Sequence, residues 1–174
     1  IQAAIDSNFY NVVLTAINFK HALADQIKEK AALAAEKGIG IVAMKTMAGG
    51  FMDRERQHPI DCRAALKWVL QDKNFHTSIP GIVSFDQMTE NFGVMENLEL
   101  TETEKLHLEE AKLTAGLYCD GCGQCVDQCT RHLPVYDFMR AYMYTYGYRS
   151  FDNAYGLLDE LGYSSNPCSD CSAC

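Results

Sequence analysis

Positive charge is scarce in this sequence: 15 Lys and Arg stand against 23 Asp and Glu, for a formal net charge of -8. A nucleic-acid surface needs a concentrated basic face to neutralise phosphates, so this balance argues against that class of partner. Long apolar runs are also missing. None reaches the roughly 18 residues of a membrane span, and the start lacks the charged-then-apolar pattern of a signal peptide. No low-complexity linker interrupts the 174 residues, 48% of which are hydrophobic, so a globular chain of one domain with a small appendage is expected. An initial Met is absent as well. Residue 1 is Ile, Ile1 to Asn8 read as the end of an amphipathic helix, and the chain stops on Cys174 inside a motif. We therefore expect a piece of a longer protein.

Two regions with different habits meet near residue 116, giving expected domains 1–115 and 116–174. In the first, short β-branched runs alternate with helical patterns, the signature of βα units and a parallel sheet. The expected strands are Val12 to Asn18, Ile39 to Thr46 and His76 to Ile82, each continuously apolar as for strands covered on both faces. Helices are expected over Ala22 to Lys37, stopped by Gly38, over Ile60 to Lys73, and over Ser84 to Met95. A further helix starts at Thr101, where Thr101 and Glu104 have capping-box spacing. The second region is an aromatic-rich stretch, Leu133 to Gly162, with a helix start at Pro134 and two short helical faces.

Seven of the eight cysteines fall in two runs that flank this stretch: Cys119, Cys122, Cys125 and Cys129 at 2-2-3 spacing, and Cys168, Cys171 and Cys174 at 2-2 spacing. Three thiolates at such intervals let one loop wrap a cubane cluster, while the fourth points away to a neighbouring one. On that rule Cys129 joins Cys168, Cys171 and Cys174 on one [4Fe-4S] cluster, and Cys119, Cys122 and Cys125 hold a second whose fourth ligand lies beyond Cys174. Thr130 stands where a proline usually follows the fourth cysteine, and His132 is an alternative donor nearby. Disulfides are the first rival reading, but they call for an oxidising compartment and a core-poor protein; a cytoplasmic setting is expected instead. Zinc is the second, and four cysteines at this spacing oversupply one tetrahedral ion. Cys62, on the apolar face of its helix, reads as core.

The segments Val12 to Asn18, Gly40 to Thr46 with Met47-Ala-Gly-Gly50, Ala64 to Leu70, and Ile79-Pro-Gly81 with Gln87 to Asn91 together resemble, in order, the C-terminal half of an aldo/keto reductase. The resemblance implies an α/β fold, half of a (β/α)8 TIM barrel, followed by a small helical ferredoxin-like module as in the iron–sulfur subgroup of that family. It implies an NADP- or NAD-dependent oxidoreductase acting on a small carbonyl or alcohol, with a redox partner protein served by the clusters. Ligands of such barrels bind at strand C-termini. The implied nucleotide contacts are Lys45, Gly49, Gly50, Gly81 and the start of the helix near Ser84, with Gln87, Glu90 and Asn91 toward the adenine.

Several positions depart from the family. Met44 replaces the aromatic that stacks on nicotinamide, Leu14 replaces a carboxamide-binding Gln, and Val83 stands where a 2′-phosphate contact is common. The family's catalytic Asp, Tyr, Lys and His belong to the other half of the barrel. His21, His58, His76 and His107 are not expected to replace them, so no catalytic residue is assigned in this chain and the piece alone is expected to be inactive.

Overall fold

The computed structural model describes residues 1–53, 55–114, 119, 121 and 123–173. The chain divides into two compact units, Ile1–Leu117 and Tyr118–Cys174. In the first, α1 (Gln2–Ser7) precedes β1 (Val12–Ala16), α2 (Ala24–Glu36), β2 (Gly40–Met44), α3 (Cys62–Leu70), β3 (Thr77–Ser78), α4 (Phe85–Gly93) and α5 (Glu102–Lys112). The three strands form a parallel sheet in the order β1-β2-β3. Val12 to Ala16 lie opposite Gly40 to Met44, and Val42 and Ala43 opposite Thr77 and Ser78.

Local chemistry sets the ends of these elements. Gly38, at φ 77°, closes α2 and donates to the Ala35 carbonyl, a conformation that costs glycine little. Asp61 caps α3 by accepting from the Ala64 N–H at 2.9 Å. β3 is far shorter than the sequence suggests. Ile79 still donates to the Ala43 carbonyl, but Pro80 follows with no N–H to extend the ladder.

Apolar burial is concentrated on one side of the sheet. Ile41 and Ala43 of β2 cluster with Ala31 and Ala34 of α2 and Val69 of α3. The opposite face corrects the expectation of strands covered on both sides, since Val12 and Leu14 of β1 are 58% and 49% exposed. Their continuous apolar pattern prepares two covers, and the described residues supply one. Leaving each side chain half in water forgoes roughly 1 kcal/mol.

A polar joint fixes α5 against α3. The Lys67 ammonium is 3.2 Å from the Glu99 carbonyl and 2.8 and 3.1 Å from the two Glu104 carboxylate oxygens. Glu104 also accepts from the Thr101 N–H while Thr101 Oγ1 accepts from the Glu104 N–H, the expected capping box.

The second unit is helical: α6 (Gln124–Gln128), α7 (Val135–Tyr142), a π-helical turn over Met143–Gly147, and α8 (Phe151–Glu160). Its buried apolar residues, among those described, are Ala141 and Ala154. Phe138 meets Tyr163 edge to face at 4.9 Å. Among the described residues no helix is long and apolar enough to cross a membrane.

Burial raises the Glu104 carboxyl, but the Lys67 hydrogen bond and the Thr101 backbone outweigh it and hold the group below its ordinary value of 4.5. The stabilisation is therefore complete above about pH 4.5 and lost as pH falls through the lowered folded value. Urea denaturation of E104Q against the parent chain should show a gap of about 2 kcal/mol at neutral pH that closes on acidification.

Candidate metal centre

The first cysteine run is a loop leading into a short helix. Gly121 and Gly123 take left-handed φ of 69° and 79°, which lets the backbone turn sharply between cysteines. The Gly121 N–H donates to the Cys119 sulfur at 3.4 Å. Cys125 rides on α6, and Cys129 leaves it in an extended conformation, φ -81° and ψ 117°. Cys122 and Cys174 lie outside the described residues.

Cys129 has the most developed sulfur environment. The backbone N–H groups of Leu133 and then Arg131, with a smaller share from His132 and the Arg131 charge, overcome burial and hold its thiol below the ordinary value of 9.0. Such donors favour the thiolate, the form that binds metal. Cys62 is the opposite case. Burial first, then the charges of Glu90 and Asp61, push its thiol up; Cys62 is half-buried and stands outside the buried apolar clusters.

The second run is shaped by Asn166, whose Oδ1 accepts from the Cys168 N–H at 2.9 Å, and by a turn in which the Cys171 N–H reaches the Cys168 carbonyl at 3.1 Å. Arg131 crosses to this loop. One guanidinium nitrogen, Nη1, donates to the Pro167 carbonyl at 2.9 Å and to Asp170 Oδ1 at 3.0 Å. The end of the first run is thus tied to the second. The sequence reading did not single out Arg131; its signal is an arginine two residues beyond Cys129 matched by an aspartate inside Cys168-x2-Cys171.

Among the described residues no three His, Cys, Asp or Glu side chains gather as a metal-binding group. All six described cysteines are free thiols. Among the described cysteines the Cys119 sulfur accepts a backbone N–H, and Gly121 and Gly123 bend the first run.

Of the expected nucleotide residues, Lys45 and Gly81 follow the C-terminal ends of β2 and β3, and Gln87, Glu90 and Asn91 lie on α4. Lys45 follows β2 at φ 58°, exposed, and is not the buried-strand lysine its apolar context suggests. Gly49 and Gly50 follow at φ 94° and 79°. Among the described residues, no atom lies within 4 Å of where a Cβ of Gly81 or Gly50 would stand. Thr46 Oγ1, just past β2, and Ser78 Oγ, at the end of β3, are buried without a hydrogen-bond partner among the described residues, which suits a polar ligand at this edge. Gln87, by contrast, is engaged locally: its Oε1 accepts from the Val83 N–H at 2.8 Å, while Ser84 Oγ accepts from the Gln87 N–H. Glu90 is exposed near Cys62, and Asn91 is half-buried. Three histidines expected to be non-catalytic carry backbone hydrogen bonds: His21 Nδ1 accepts from Leu23, His76 Nδ1 from Ile41 and His107 Nε2 from Asp61.

The chain matches no protein-family model, no curated protein and no solved structure.

In the reduced, metal-free protein, iodoacetamide should label Cys129 at lower pH than Cys62. Peptide mass spectrometry across a pH series checks this order, and Cys62 reacting first would contradict the sulfur environments above.

Proposed function

We propose that the chain is part of an iron–sulfur oxidoreductase in which half of an aldo/keto-reductase-like (β/α)8 barrel is joined to a ferredoxin-like module. The observation that carries this reading is the pair of cysteine runs, with Arg131 tying the end of one to the loop of the other. The thin core of the second unit supports it. A unit of fewer than about 70 residues rarely folds on apolar burial alone and draws on a metal or disulfides. Buried Ala141 and Ala154 supply little.

In this reading Cys129, Cys168, Cys171 and Cys174 hold one [4Fe-4S] cluster, and Cys119, Cys122 and Cys125 contribute three ligands to a second. The clusters supply one-electron transfer to a partner protein. Of the chain's own residues, Gly121 donates its N–H to the Cys119 sulfur, and such a bond would favour the more reduced, more negative state. The parallel βα arrangement and the open apolar face of β1 support the barrel half, whose interior such a face would line. NADP or NAD would rest at the strand C-termini against Lys45, Gly49, Gly50 and Gly81, with the unsatisfied Thr46 and Ser78 hydroxyls as hydrogen-bonding groups at that edge. Exchange of hydride with a carbonyl or alcohol requires an acid from outside this chain. A second reading, an electron-transfer or interaction module on a barrel scaffold without reductase activity, is favoured by Met44 and Leu14 in place of the family's nicotinamide contacts.

Anaerobic reconstitution with iron and sulfide should give brown protein whose broad visible absorption bleaches on dithionite. C129A should lose about half of the bound iron of the parent chain, or more. A colourless product that retains zinc instead would overturn the iron–sulfur assignment.

A further inference from the structure

The second unit leaves a space that its own side chains do not fill. A cavity of about 780 Å³ lies among Phe138, Tyr142, Tyr155, Asp159 and Tyr163. Small-molecule pockets run from about 300 to 1,000 Å³, so the volume suits a ligand of that class. Helical spacing explains how the lining comes together. Phe138 and Tyr142 stand four residues apart on α7, and Tyr155 and Asp159 four apart on α8, which places each pair on one helical face. The two helices pack on each other. Tyr163, just past α8, completes the group by meeting Phe138 edge to face, with ring centroids 4.9 Å apart.

The lining selects the sign of the ligand's charge. Aromatic faces carry negative potential and attract a cation placed over them. Asp159 adds the one carboxylate among the described lining residues, which include no Lys, Arg or His. Its carboxylate has no hydrogen-bond or ion-pair partner among the described residues. Tyr142 and Tyr155 are 41% and 71% exposed, so much of their ring surface is still free to cover a ligand. An anion would meet ring faces and a carboxylate of its own sign. A neutral apolar molecule would crowd Asp159 without pairing it. A cation carried on apolar groups satisfies both, and a quaternary ammonium is the form that gives up least hydration on entering an aromatic cage.

We propose that this cavity binds a small organic cation of the quaternary ammonium class, with the tyrosine rings against its methyl groups and Asp159 as its counter-charge. The site uses no metal, so the inference stands apart from the iron–sulfur reading.

The test uses the full chain, kept reduced, with choline as the probe and 3,3-dimethyl-1-butanol as its uncharged counterpart of nearly the same shape. Saturation-transfer NMR detects contact, and titration gives the affinities. Choline should bind the parent chain several-fold more tightly than the alcohol, and D159N should remove most of that preference. Y155F, which keeps the ring, should bind choline as the parent does; Y155L, which keeps apolar bulk alone, should weaken it several-fold. Circular dichroism checks that each variant keeps the parent's fold, and if Y155L loses it, the D159N comparison decides. No binding of choline, equal affinity for choline and the alcohol, or a choline affinity unchanged in folded D159N would overturn the proposal. Iron uptake by the same chain, measured separately, reports on the iron–sulfur reading and does not depend on these outcomes.

Discussion

The second unit fully buries only Ala141 and Ala154 among its described apolar residues, while Leu133, Phe138, Leu157 and Leu158 are half-buried, so most of its apolar surface is only partly withdrawn from water. Each fully buried large aliphatic side chain is worth roughly 2 kcal/mol, and an alanine far less, while every ordered residue costs roughly 1.5 kcal/mol of conformational freedom. The aromatic contacts of Phe138 with Tyr163 and of Tyr142 with Tyr146 help, yet Tyr142 and Tyr146 remain 41% and 70% exposed. In the second unit the described link between the cysteine loops is Arg131, which donates to the Pro167 carbonyl and to Asp170.

The first unit follows ordinary rules of burial, and there the sequence was a good guide to the elements. Gly38, Asp61 and the Thr101 to Glu104 box mark helix ends through local bonds that depend on neighbours in the chain, so they can be read without the fold. The length of β3 and the exposure of β1 depend on partners across space. Continuous apolar character in Val12 to Ala16 records what those residues can bury; it does not record whether a cover is present.

At the candidate sites the same division holds. Cysteine spacing is local information and identifies the candidate ligands, of which Cys122 and Cys174 lie outside the described residues. Arg131 acquires meaning only when Pro167 and Asp170 arrive from the far side of α7 and α8, a contact no spacing rule contains. Lys45 was legible as a residue at a strand end but not as a left-handed one, because positive φ in a non-glycine residue is imposed by the turn that follows. Thr46 and Ser78 are ordinary in sequence; they stand out only as hydroxyls whose surroundings lack partners.

Glu104 shows what sharing one side chain between two duties entails. Its carboxylate closes the first turn of α5 and grips Lys67 on α3, so the two attachments have a single point of failure. A small slide of α5 along α3 cannot be absorbed by stretching one bond, because the cap and the ion pair would break together. His107 of α5 adds a separate tie, accepting from the Asp61 N–H at the cap of α3. A slide of α5 along α3 would therefore cost the helix cap, the ion pair and the His107 bond together.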